Sequence, residues 1–255
     1  MDIPSLTWDS VVVNDPEGGE YVFWPHLPCV ESPLGLVPES KFQAVAFLAS
    51  SEDVWRWREE LAENDLNPGA HVAAAVASGT ALGRYLTDLE DLGLTGITIP
   101  DPEPIVLLKS KLRKFALEPS SDDKEWAYLM IRHADYASKA SSFFSFIGAG
   151  RRWKRVRSSA IRKVVPHTDL DAAYGAAAAS AAAWWTEENR TWTKEIRHEA
   201  DRRKMARLRG AMAEMRSGNK QSRILVPVHQ PCMQGLIEVM SSWPHPESCE
   251  EVEEW

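Results

Sequence analysis

Arg223-Ile224-Leu225-Val226-Pro227-Val228, followed by His229-Gln230-Pro231-Cys232 and then by Met233 to Met240, is the stretch that decides the fold. A β-branched run reads as a buried strand. The proline-bearing turn ends it, and the apolar spacing of Met233, Leu236 and Met240 reads as a short helix. A strand this near the carboxy terminus needs partners, and the amino-terminal part supplies them. Thr7 to Asn14 and Glu20 to Trp24 flank Asp15-Pro16-Glu17-Gly18-Gly19, the pattern of a hairpin. Phe42 to Leu48 is a short apolar run expected to be a third, buried strand.

Between the two ends the pattern is helical. Ser50-Ser51-Glu52-Asp53 caps a helix over Val54 to Asn64, a serine N-cap with acids in the first turn. Ala70 to Leu92 reads as one or two alanine-rich helices, and Ile97 to Ile99 as a short strand. Further helices are expected over Ile105 to Ala116, Lys124 to Ile147, Arg151 to Val165, Leu170 to Trp185 (capped by Thr168-Asp169) and Thr186 to Arg216, the last ending at Ser217-Gly218-Asn219. The expectation is a helix-dominated α/β or α+β fold in a single domain. Residues 1–104 and 217–242 carry a small central sheet, 105–216 form a helical insertion, and 243–255 are a loose acidic tail.

Charge divides the chain at similar places. Residues 1–100 hold 4 basic and 16 acidic groups, residues 151–223 hold 18 and 8, and residues 224–255 hold none and 6. Arg151-Arg152-Trp153-Lys154-Arg155-Val156-Arg157 packs five cations around one indole. It could grip phosphates with Trp153 stacked on a base, or pair internally with the acidic parts. Three cysteines without a CxxC pair predict free thiols in a reducing, cytoplasmic setting. The longest apolar stretch, Ala172 to Trp185, is short of the roughly 20 residues a bilayer needs, so no membrane contact is expected. His71, His133, His167, His198 and His245 lack metal-ligand spacing. Neither a metal nor a cofactor is expected.

The helix carrying Arg202-Arg203-Lys204-Met205-Ala206, the strand, the histidine turn and the Gly235-Leu236 helix resemble the carboxy-terminal half of the TraB/PrgY, ChaN and erythromycin-esterase-like superfamily. Tyr21 to His26 is similar to that family's amino-terminal strand ending in a histidine turn, and Gln43 to Leu48 to its next strand. The similar stretches cover about a third of the chain. The chain departs from the pattern at Phe23, where glycine is expected, and at His229 and Cys232, which replace glycine and histidine. The strand-end glutamate falls near Leu48 or Ala49, so that acid is absent unless Glu52 substitutes.

The resemblance implies water or hydroxyl activation by histidine and an acid, with an arginine stabilising an oxyanion. The catalytic candidates are therefore His26, Arg202, His229 and Cys232, the thiol serving as nucleophile if His229 or the following helix lowers its pKa. Trp24, Glu52, Arg203 and Gln230 are candidates for binding a small-molecule or peptide substrate. A shared site requires His26 and His229 within about 10 Å of each other. Two other readings stand beside this one. The first is an interaction protein whose segment 151–163 holds an acidic partner, RNA or a second copy of the chain. The second is a peptide-modifying enzyme that docks a basic substrate segment on Glu59, Glu60 and Glu63.

Overall fold

A computed structural model describes residues 3–38, 41–138, 148–216 and 222–252. Its centre is a six-stranded mixed sheet in the order β1-β2-β5-β3-β4-β6. β1 (Val11–Asn14) and β2 (Glu20–His26) form the expected antiparallel hairpin, Val11 opposite Phe23. β2, β5 (Arg223–His229), β3 (Ala44–Phe47) and β4 (Arg113–Ala116) run parallel, and β6 (Glu250–Glu251) closes the far edge antiparallel to β4.

The helices are α1 (Ser51–Leu66), α2 (Ala70–Ala77), α3 (Ala81–Asp91), α4 (Pro102–Leu108), α5 (Lys124–Ala137), α6 (Ala149–Ala160), α7 (Ala172–Glu188), α8 (Lys194–Arg216) and α9 (Met233–Met240). A serine caps α1 as expected; it is Ser50, in a reciprocal capping box with Asp53. The expected continuation of α5 over 139–147 and the break at Ser217-Gly218-Asn219 lie outside the described residues.

Alternation along the strands sends side chains to two buried faces. Tyr21, Phe23, Ala46, Phe115 and Val226 pack with Met205, Leu208 and Met212 of α8 and with Leu236 and Met240 of α9. On the opposite face Val45, Phe47 and Ala116 pack with Val54 of α1 and Leu108 of α4. A separate helical layer joins α2, α3, α6 and α7. The buried alanine run of α7, Ala177 to Ala183 around Ser180, lets neighbouring helices approach closely.

Four local expectations are corrected. Ile105 to Ala116 is not one helix. α4 stops at Leu108, and Arg113–Ala116 is a strand whose Phe115 and Ala116 are fully buried. Burying a side chain such as Phe115 contributes ~1.5–3 kcal/mol, and pairing with β3 outweighs helical spacing. This places a sheet strand inside the segment read as a helical insertion. Ile97 to Ile99 is irregular chain, and Asp171 rather than Thr168-Asp169 caps α7. α7 runs on to Glu188, so the next helix starts at Lys194, not at Thr186.

The tail is docked, not loose. Glu247 donates its N–H to the Ala206 carbonyl, its carboxylate meets Arg202 and Arg203, and Glu250–Glu251 pair with β4. Residues 253–255 lie outside the described part. No helix among the described residues is long and apolar enough to cross a membrane.

Candidate functional site

β2 and β5 stay paired to their last residues, His26 opposite His229. β5 and β3 pair only at Ala44–Ile224 and Val45–Leu225 and then separate. Pro227 lies just past that separation, where β5 has no N–H to offer β3. The crevice that opens at the carboxyl ends of β2, β5 and β3 is where open parallel sheets place ligands. A cavity of about 350 Å³ fills it. Phe47, Trp57, Leu82, Ile99, Trp184 and Trp185 supply apolar wall, and His26, His229, Asp101, Glu60, Asp201 and Lys204 supply polar groups.

The two imidazole rings meet edge to face with centroids 5.0 Å apart, well inside the limit for a shared site. His26 is buried and donates Nδ1–H to the Leu27 carbonyl at 3.2 Å, which makes Nε2 its lone-pair nitrogen. Nε2 of His229 donates to Oδ2 of Asp101 at 2.6 Å. The other Asp101 oxygen accepts the Cys29 backbone N–H at 2.8 Å. Cys29 holds a left-handed φ of 60°, sparsely populated for a residue with a Cβ, while making this contact. Trp184 lies edge-on to His229 at 5.4 Å and is itself stacked on Tyr85, whose hydroxyl donates to the Pro28 carbonyl.

Burial, reinforced by His229, pulls the His26 pKa down to about 4, so His26 is neutral at physiological pH. Burial pushes Asp101 up, but His229, its hydrogen bond, His26 and the Cys29 N–H outweigh burial and hold the carboxyl at about 2. Asp101 is therefore a carboxylate. Burial raises the carboxyls of Glu60 and Asp201 above their ordinary range. Lys204 ion-pairs with Glu118 at 2.8 Å. The nitrogen and oxygen atoms that His26, Asp101 and His229 offer all lie within 4.8 Å of one another, so these three could close on one cation.

No family model, curated protein or solved structure matches the chain.

Of the residues expected from sequence, His26 and His229 come together, and Cys232 lines the same cavity. Cys232 does not carry a lowered pKa. Burial, with Asp201 nearby, drives its thiol far above the ordinary value, which removes the thiolate nucleophile expected there. Arg202 and Arg203 lie elsewhere. On α8, Asp201 and Lys204 stand three apart on the face toward the cavity, which turns the intervening arginines away. Arg202 pairs with Glu199 and Glu247, and Arg203 with Asp123 and Glu247. Glu52 is exposed at the start of α1 and accepts from Ser121. Trp24 is buried with Val22 and Leu225, behind His26. Gln230 is buried and donates to the Thr7 carbonyl at 2.6 Å.

The acid that sequence could not locate is Asp101. Its only signal was position. It sits between two prolines at the start of α4, where an aspartate is expected to cap, yet its side chain makes no cap bond and turns to His229. The basic segment on α6 is partly spent internally. Trp153 is buried with its N–H on Asp88, Arg152 pairs with Glu187, and Arg157 meets Asp88 and Ser180. Stacking of Trp153 on a base is thereby excluded.

Proposed function

We propose that the protein is a hydrolase-like enzyme acting on a small, largely apolar molecule or a peptide end. The cavity holds the substrate, and the His26–Asp101–His229 group activates water at its polar end. One observation carries this reading: two histidines at the ends of adjacent strands share a cavity with an ionised aspartate bonded to one of them. That is the geometry general acid–base chemistry requires. In the reaction, water oxygen adds to an ester or amide carbonyl carbon and the bond to the leaving oxygen or nitrogen breaks. The proton taken from water is returned to the leaving atom.

The cavity size and aromatic lining fit a small organic body, with Trp57, Phe47, Trp184 and Trp185 around it. The strand-end position of His26 agrees with the resemblance to the TraB/PrgY, ChaN and esterase-like superfamily. Asp101 would stand in for the family's acid, and Lys204, two positions after Arg202, is a cation that lines the cavity. A role as an accessory enzyme in biosynthesis, in the cytoplasm, fits the free cysteines.

The test is turnover of a panel of chromogenic aryl and alkyl esters and anilides by the full chain. Activity that falls more than about 100-fold in Asp101→Asn and His229→Gln, with circular dichroism unchanged, is the expected result. Wild-type rates in both folded variants, or no turnover across the panel, would overturn it.

A further inference from the structure

We propose that His26, Asp101 and His229 are the protein ligands of one divalent first-row transition-metal ion whose remaining coordination position faces the cavity. Two imidazoles and one carboxylate are a mixed nitrogen–oxygen set. Such sets suit zinc, iron, cobalt or manganese rather than calcium or magnesium, which take oxygen ligands. Three ligands are also the number a catalytic site uses when it keeps a place for water or substrate.

The geometry is close to what an ion needs. Nitrogen and oxygen ligands at about 2.0–2.2 Å from a tetrahedral ion stand roughly 3.3 Å apart. Here the three atoms lie within 4.8 Å of one another, and the His229–Asp101 pair is at 2.6 Å. Binding requires that pair to part slightly and His26 to draw in; the Nε2 proton of His229 passes to solvent, the ring N–H of the neutral imidazole then lying on Nδ1, and two metal bonds replace the hydrogen bond.

The surroundings hold His26 and Asp101 in the orientation a metal uses. A metal-binding histidine ordinarily donates its other ring N–H to an oxygen, and a metal-binding carboxylate is itself hydrogen-bonded. His26 donates Nδ1–H to the Leu27 carbonyl, leaving Nε2 as the coordinating atom. Asp101 accepts the Cys29 N–H on Oδ1, leaving Oδ2 toward the histidines. Both histidines are anchored at paired strand ends, so their separation is set by the sheet. Asp101 occupies a capping position without capping, which leaves its carboxylate to the site.

This inference rests on the hydrolytic reading for its use, since a bound ion lowers the pKa of its water and polarises a carbonyl. It does not rest on that reading for its test. The full chain, stripped with EDTA and desalted, is titrated with ZnCl₂ by calorimetry and with CoCl₂ by visible absorption. The expected result is one ion per chain, with a cobalt d–d spectrum free of a thiolate charge-transfer band despite Cys232 nearby. Affinity should drop more than about 100-fold in Asp101→Ala and in His229→Ala and stay unchanged in His245→Ala, an exposed histidine. Should the alanine variants fail to fold, the stoichiometry and cobalt spectrum of the wild-type chain decide alone.

Absence of zinc and cobalt binding by the wild-type chain overturns the proposal. So does binding equally tight in the folded variants, or a thiolate band. Either result, with ester or anilide turnover intact, would leave the hydrolytic reading standing. One bound ion without turnover of any ester or anilide would instead support the metal site and overturn the hydrolytic reading.

Discussion

His26 and His229 are register partners on adjacent parallel strands, and their rings meet 5.0 Å apart at the carboxyl edge of the sheet. Two residues 203 positions apart in the chain thus become neighbours through one strand pairing. A one-residue slip of that pairing would send one ring to the opposite face of the sheet. The site is therefore only as well defined as the β2–β5 register, and register is held by the buried alternation of Tyr21, Phe23, Ile224 and Val226.

The burial of His26 makes stability depend on pH. Its pKa is about 4 in the folded chain and 6.5 in the reference state, so between these values the unfolded chain binds more protons. Stability contributed by the neutral ring is complete above pH 6.5 and is lost as pH falls toward 4. The shift corresponds to roughly 3 kcal/mol. Asp101, held at about 2, adds a further loss below its ordinary 3.8. Urea unfolding at about pH 7 and about pH 4.5 should show the fall, and His26→Gln should flatten it. An equal slope in the variant would assign the acid sensitivity elsewhere.

Asp15 anchors the hairpin turn to α8. Its side chain is fully buried, accepts from the Tyr21 hydroxyl at 2.6 Å and meets Arg209 and Arg216. Removing one partner of a buried ionic group leaves the others uncompensated and costs about 3–5 kcal/mol. Asp15→Ala is expected to lower unfolding free energy by that amount in denaturant titration, and a loss under about 1 kcal/mol would show that solvent replaces the carboxylate.

Gly210 lies where α8 meets the tail. A Cβ there would stand 1.7 Å from the Glu247 carbonyl oxygen. Gly210→Ala must displace the tail, at a cost of about 1–3 kcal/mol despite the better helix propensity of alanine. Faster proteolysis after residue 242 in the variant, with the remaining protein intact, is the expected readout. Unchanged cleavage would mean that the tail contact bends without detaching.

The Cys232 thiol is kept protonated by burial, so it should react slowly with iodoacetamide. Mass spectrometry of the native chain at mildly alkaline pH should find Cys232 unmodified until denaturant is added. Rapid native labelling would restore the thiol as a candidate nucleophile.

Local patterning made much of the frame legible. Phe42 to Leu48 read as a strand because it is a short apolar run, and Arg223 to Val228 because it is β-branched and ends at a turn. Ser50-Ser51 read as a serine cap because the neighbouring Glu52 and Asp53 favour a helix start, and the cap is Ser50. Arg113–Ala116 was hidden because Leu108, Leu112 and Phe115 also satisfy helical spacing, and only the vacant edge of β3 chooses between the two.

The sequence by itself determined that strands from both chain ends and helices between them form an α/β unit, and that histidines stand at the carboxyl ends of two of those strands. These are properties of short windows, where side-chain period and turn chemistry act locally. Tertiary structure alone decided which groups join the histidines. Asp101 enters because its carboxylate bonds both the Cys29 N–H and the His229 ring, while helix phase on α8 turns Asp201 and Lys204 inward and Arg202 and Arg203 toward Glu247. Burial, which no local pattern encodes, then set the charge states: a neutral His26, an ionised Asp101 and a protonated Cys232.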